Sequence, residues 1–142
     1  MPLFVSAILL IVLSNVAYHV AQKSISPTVH PLISLLVTYV VALAITVLLL
    51  PFFPVRAAPG VALRQVNWAS VAVGVTIVGV EIGFLLAYRA GWKVSIGSAV
   101  ASAAVAVLLL PTGLVLFRER LSASNLVGVL LCVAGFLLAV RR

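Results

Sequence analysis

Five apolar runs, each about as long as a bilayer is thick, constrain this chain more than any other feature. They lie at residues 2–22, 31–52, 67–88, 94–117 and 124–140. A hydrocarbon core about 30 Å thick requires roughly 20 apolar residues in α-helix. Helix is the form in which a lone segment satisfies its own backbone N–H and C=O groups away from water. The expected fold class is therefore an all-α integral membrane protein with five transmembrane helices, forming a single membrane domain over residues 1–142 with the lipid bilayer as solvent. Composition agrees: 65% of the residues are hydrophobic and 8% charged. A water-soluble domain could not cover its surface with so few polar groups.

Chemical breakers set the boundaries. Gln22, Lys23, Ser24 and Ser26–Pro27 close the first run; Pro51, Pro54, Arg56, Pro59–Gly60 and Arg64 form the longest loop. Arg89, Gly91 and Lys93 separate the third and fourth runs, and Arg118, Glu119 and Arg120 separate the fourth and fifth. The net charge of +7 comes from basic residues spaced as membrane-edge anchors rather than clustered on one face, so nucleic acid is not an expected partner. Trp68 and Trp92 near run ends fit an interfacial aromatic belt, and His30 before Pro31 reads as interfacial. The first run starts without a basic region and continues past Asn15 and Tyr18 without a small-residue cleavage site, so it is expected to be the first span rather than a removed leader. Multi-pass residence in the inner (plasma) membrane follows.

Successive loops lie on alternating faces, an odd number of spans places the two termini on opposite faces, and the basic residues can then be counted. One face holds Arg56, Arg64, Arg118 and Arg120; the other holds Lys23, Arg89, Lys93, Arg141 and Arg142. Orientation follows the Lys and Arg asymmetry across short loops, and a difference of one charge gives little preference. Insertion in both orientations is the expectation.

Helices in lipid pack through small residues three and four apart. Gly79 and Gly83 in the third run, Ser95, Ser98 and Ser102 in the fourth, and Gly128, Cys132, Gly135 and Ala139 in the fifth are expected contact faces, inside one subunit or at a dimer interface. Pro111 removes one backbone hydrogen bond, shaping packing or providing a gating kink. Glu81 is the one acidic residue within a run. Such a group costs a few kcal/mol in hydrocarbon and is by default functional. The alternatives are a pair with Arg89 or Tyr88, or a hydrogen bond to the first span. Asn15, Tyr18, His19 and Gln22 form a polar stripe on the first helix. Facing Glu81 across a cavity, that stripe would offer amides, a phenol and an imidazole to a polar ligand.

The C-terminal half, with Ser95, Ser98, Ala101 and Pro111, then Phe117-Arg118-Glu119-Arg120-Leu121, Leu126-Val127-Gly128 and Ala134-Gly135, resembles the EamA-type domain of the drug/metabolite transporter superfamily. The resemblance covers roughly residues 83–140 and, through the five-span layout, extends to the whole chain. It implies half of a ten-helix inverted-repeat transporter, Pro111 as the family's mid-helix proline and Glu119 as its loop glutamate. Fused members carry two such halves, the second inverted. A lone half rebuilds that architecture by pairing with an inverted copy of itself, the arrangement that near-even charge permits. The superfamily's small multidrug resistance relatives carry a first-helix glutamate; here Asn15 or Tyr18 occupies that region.

No nucleophile–base pair, metal-ligand spacing or phosphate-cradling loop is present, and the lone Cys132 excludes an internal disulfide. An enzyme, a cofactor and a metal are not expected. The expected function is alternating-access transport of a small organic metabolite or drug by an antiparallel homodimer. Glu81 would alternately hold a proton and a cationic or amine-bearing substrate, and Asn15, Tyr18 and His19 would line the route. The alternatives are a scaffolding or regulatory subunit of a larger complex, and a flippase for a lipid-linked intermediate.

Overall fold

The computed structural model describes residues 2–53, 59–118 and 122–140. These are helical, with no strand: α1 (Pro2–Ser24), α2 (Pro31–Leu49), α3 (Pro59–Arg64), α4 (Trp68–Arg89), α5 (Val94–Leu116) and α6 (Ala123–Val140). The helices α1, α2, α4, α5 and α6 match the five apolar runs to within three residues at either end. Helices α1, α2, α4 and α5 are long and apolar enough to cross a membrane, and they fit a multi-pass membrane protein. With 18 residues, α6 measures about 27 Å at 1.5 Å per residue, shorter than the other four. The short helix α3 lies where the sequence reads as loop. Pro59 stands at its first position, where a missing N–H costs nothing.

Local chemistry sets the helix ends. His30 is extended (φ −61°, ψ 131°) ahead of Pro31, as the residue before a proline must be, and Pro31 starts α2. Asn67 caps α4, its side-chain Oδ1 accepting from the Ala69 N–H at 3.1 Å. Gly91, with φ +97°, supplies the left-handed residue between α4 and α5. Arg118 performs the same service after α5 with φ +51°, a conformation that disfavours a side chain. Pro111 leaves α5 helical on both sides, and the Thr112 hydroxyl bonds back to the Leu108 carbonyl at 2.9 Å.

The chain divides into two compact units, Met1–Val20 with Ala90–Arg142, and Ala21–Arg89. In the first, α5 packs against α6 and buries Gly97 and Gly113; Val129 and Val133, one turn apart, are among the less exposed positions of α6. In the second, α2 packs against α4 around Leu35, Leu85 and Tyr88. Burial is inverted relative to a soluble protein. The polar side chains His19, Gln22 and Glu81 are buried, while Leu3, Leu48 and Trp68 are 81%, 71% and 80% exposed. Apolar surface on that scale requires lipid or another protein to cover it.

Of the two settings expected for the small-residue faces, a contact inside one subunit or a dimer interface, the first can be compared with the described residues. A side chain built at Gly79, Gly83, Gly128 or Gly135 would meet nothing within 4 Å, and Cys132 is exposed. Among the described residues, then, no helix packs against these glycines. Side-chain contacts of Ala139, like Glu119, Arg56, Arg120, Arg141 and Arg142 altogether, lie outside the described residues.

Gly91→Ala is expected to lower stability by about 1 kcal/mol because the left-handed backbone penalises a Cβ. Gly74→Ala, in open space within α4, is expected to leave stability unchanged or raised. Unfolding midpoints in mild detergent separate the two.

Candidate functional site

Two groups of polar side chains stand out, one in each unit. In the unit formed by 21–89, Gln22 near the end of α1 meets Glu81 on α4. The Gln22 Nε2 donates to Glu81 Oε2 at 2.6 Å and to the Glu81 backbone carbonyl at 3.3 Å. Both side chains are more than nine-tenths buried. The Tyr39 hydroxyl on α2, buried and without a hydrogen-bond partner among the described residues, lies in the electrostatic field of Glu81. The acid thus sits where three helices supply an amide, a carboxyl and a phenol. A charge held there is costly unless it is hydrogen-bonded, which is what the Gln22 amide provides.

Arg89, one alternative partner for Glu81, is engaged elsewhere. Its guanidinium donates to the Val29 and Ser26 carbonyls at 2.6 and 3.3 Å, fastening the turn between α1 and α2. Lys23 donates to the Tyr88 carbonyl at 2.9 Å, with its ammonium 5.9 Å from the Tyr88 ring centroid. Tyr88 stacks on Phe84 at 6.0 Å. A hydrogen bond to the first helix, one of the alternatives for Glu81, is observed. Cations near a helix C-terminus that reach free carbonyls are favourably placed, so Lys23 does for the end of α4 what a polar cap does in water.

In the other unit, the end of α1 and the start of α5 face a cavity of about 540 Å³. Asn15 and His19 line it from α1, and Ser95, Ser98 and Ser102 from α5, with Val16, Val20, Val94 and Ala99 between them. The three serines, expected as a packing face, instead edge this space. Ser98 returns its hydroxyl proton to the Val94 carbonyl at 2.8 Å. His19 is 6% exposed, and its ring meets that of Tyr18 edge-on at 5.0 Å. Tyr18 and Glu81 are not among the lining residues.

The expected stripe is therefore divided in its contacts: Asn15 and His19 line the cavity, and Gln22 holds Glu81. Gln22 has a larger role than sequence reasoning gave it, and Tyr39 was not singled out. Tyr39 carried a usable signal, a phenol in the middle of the otherwise aliphatic and small-hydroxyl α2. Among the described residues no three His, Cys, Asp or Glu side chains gather to hold a metal. Comparison with known proteins gives no match to any family model, to any curated protein or to any solved structure.

A double-mutant cycle of Gln22→Ala and Glu81→Ala is expected to give a coupling of about 0.5–1.5 kcal/mol, the range of side-chain hydrogen bonds between membrane helices. Chemical unfolding in detergent micelles measures it, and additive single effects would remove the bond from the stability of the fold.

Proposed function

We propose that this chain is a plasma-membrane (inner-membrane) transporter subunit that moves a small organic solute by alternating access as an antiparallel homodimer. The observation that carries the reading is the cavity edged by amide, imidazole and hydroxyl groups between two helices of membrane-crossing length. Hydrocarbon favours apolar side chains on such helices, and a gathering of hydrogen-bonding groups is the usual mark of a solute route. Its volume lies within the ~300–1,000 Å³ of small-molecule sites.

In this reading Glu81 carries the coupling proton. Its carboxyl is buried and hydrogen-bonded to a different helix. Protonation and deprotonation would change the strength of the Gln22 bond, and with it the balance between two arrangements of α1 and α4. The EamA resemblance and the near-even basic count support the inverted pair. The exposed glycine edges of α4 and α6, which meet nothing among the described residues, leave backbone open for close approach by a second copy.

Two experiments test the reading. In proteoliposomes, solute uptake driven by a pH gradient is expected to lose its dependence on that gradient in Glu81→Gln, with at least a tenfold drop in the driven component; undiminished coupling removes Glu81 from the mechanism. Single cysteines replacing Ser26 and Gln65, loops expected on opposite faces, in a Cys132→Ser background, are both expected to react partially with an impermeant maleimide on intact cells. Labelling of one site alone excludes the antiparallel dimer.

A further inference from the structure

Fixed points along α2 and α4 set the register of this packed pair. Arg89, the last residue of α4, reaches the Val29 carbonyl just ahead of α2, so the two helices run antiparallel. Within two turns of that end, Leu35 of α2 and Leu85 of α4 are buried in the core of the unit. One further turn, four residues forward on α2 and four back on α4, is about 6 Å of rise on each helix and keeps the same facing stripes. It brings Tyr39 level with Glu81. The state of the tyrosine agrees with that placement. Its residue surface is half-buried, but its hydroxyl is enclosed, has no hydrogen-bond partner among the described residues and lies in the field of Glu81.

An enclosed hydroxyl that bonds to nothing is a destabilised group, and hydrocarbon offers no water to satisfy it. The acceptor at its level is a carboxyl that already takes one donor, the Gln22 amide at 2.6 Å. An ionised carboxylate is acceptor-only and has room for several donors, whereas a protonated one gives up part of that capacity to its own proton. Packed helix axes lie about 8–10 Å apart, a gap that a tyrosine side chain spans with a rotamer adjustment. We propose that Tyr39 is a positioning residue for the Glu81 proton: its hydroxyl donates to the carboxylate when Glu81 is ionised and lets go when Glu81 is protonated. The inference rests on the transport reading in taking Glu81 as the acid that exchanges a proton, and it makes α2, alongside α1, a helix that answers the exchange.

Other titratable groups belong to the same elements. Lys23 is held on the Tyr88 carbonyl, Arg89 on the Ser26 and Val29 carbonyls, Tyr88 stacks on Phe84, and His30 precedes α2. On α1, Tyr18 meets His19 edge-on, and His19 lines the cavity of the other unit. All of them stay in place when only the Tyr39 oxygen is removed, so that change isolates the hydroxyl.

The full chain in lipid bilayers is titrated with pH while the infrared absorption of protonated carboxyl groups is followed. The component missing in Glu81→Gln belongs to Glu81. Tyr39→Phe is expected to move the midpoint of that component up by roughly one pH unit, a tenfold change, because the ionised form loses a donor. Thr38→Val removes a neighbouring hydroxyl that is returned to the Ser34 carbonyl, and is expected to leave the midpoint in place. Fluorotyrosine at position 39, a stronger donor of nearly the same shape, is expected to lower it and decides the matter if Tyr39→Phe does not fold. A midpoint that ignores these changes at position 39, or a Glu81 component absent at every pH, overturns the inference. Uptake by proteoliposomes of the same preparations separates the two readings. Shifted midpoints without pH-driven uptake support Tyr39 and remove transport; unmoved midpoints with pH-driven uptake remove Tyr39 and leave transport standing.

Discussion

The need to satisfy polar groups without water governs this molecule, because its exterior is hydrocarbon-loving along nearly the whole of each long helix. The details follow from it. The four threonines of the long helices return their hydroxyls to carbonyls of the preceding turn, as Thr38 to Ser34 and Thr46 to Ala42, Thr76 to Ala72 and Thr112 to Leu108. Lys23 reaches a carbonyl at the end of α4, Arg89 reaches carbonyls of the α1–α2 turn, and Asn67 caps a helix with its own side chain. The Gln22–Glu81 bond is the same rule applied to the costliest group present. Polar atoms are drawn together inside while leucines and valines face out, so chemistry and stability are written in the same few side chains.

The hydropathy of the sequence is enough to place the long helices, because run length and proline punctuation are local properties. Pro31 and the Gly91 turn are visible in the same way, each tied to a backbone requirement of one residue. The short helix α3 was not legible: six residues rich in Ala, Val and Leu, between a proline and an arginine, have no periodicity to read. Site residues divide along similar lines. Glu81, Asn15 and His19 announce themselves as polar groups in apolar runs, but periodicity gives the face of a helix and not the neighbour that face meets. Hence Gln22 reads both as a helix terminator and as the last member of the polar stripe, and only the structure singles it out as the residue that holds the acid.

Small residues explain the rest of the mismatch. A serine or glycine removes volume from a helix surface, and the vacated volume can admit another backbone or remain space. Sequence cannot distinguish these outcomes, since both need the same residue types at the same spacing. At Ser95, Ser98 and Ser102 the vacancy remains as a cavity, and at Gly79, Gly83, Gly128 and Gly135 none of the described residues fills it. Helix α1 contributes to both polar groups through residues a turn apart, Asn15 and His19 to one and Gln22 to the other. In the proposed transporter a single helix would thus sense solute and acid together, a short physical route for coupling two binding events.

The left-handed arginine at the end of α5 has an evolutionary reading. Glycine is the residue that backbone sterics favour at position 118, yet arginine stands there with φ +51°. In a chain that inserts both ways, four basic residues face five, and exchanging Arg118 for glycine would leave three against five. In the proposed antiparallel pair, folding and membrane insertion would therefore select opposite residues at one position. A gene duplicate released from pairing with its own inverted twin could accept the glycine, gaining a relaxed turn and a fixed orientation in one nucleotide-level step toward a two-gene transporter.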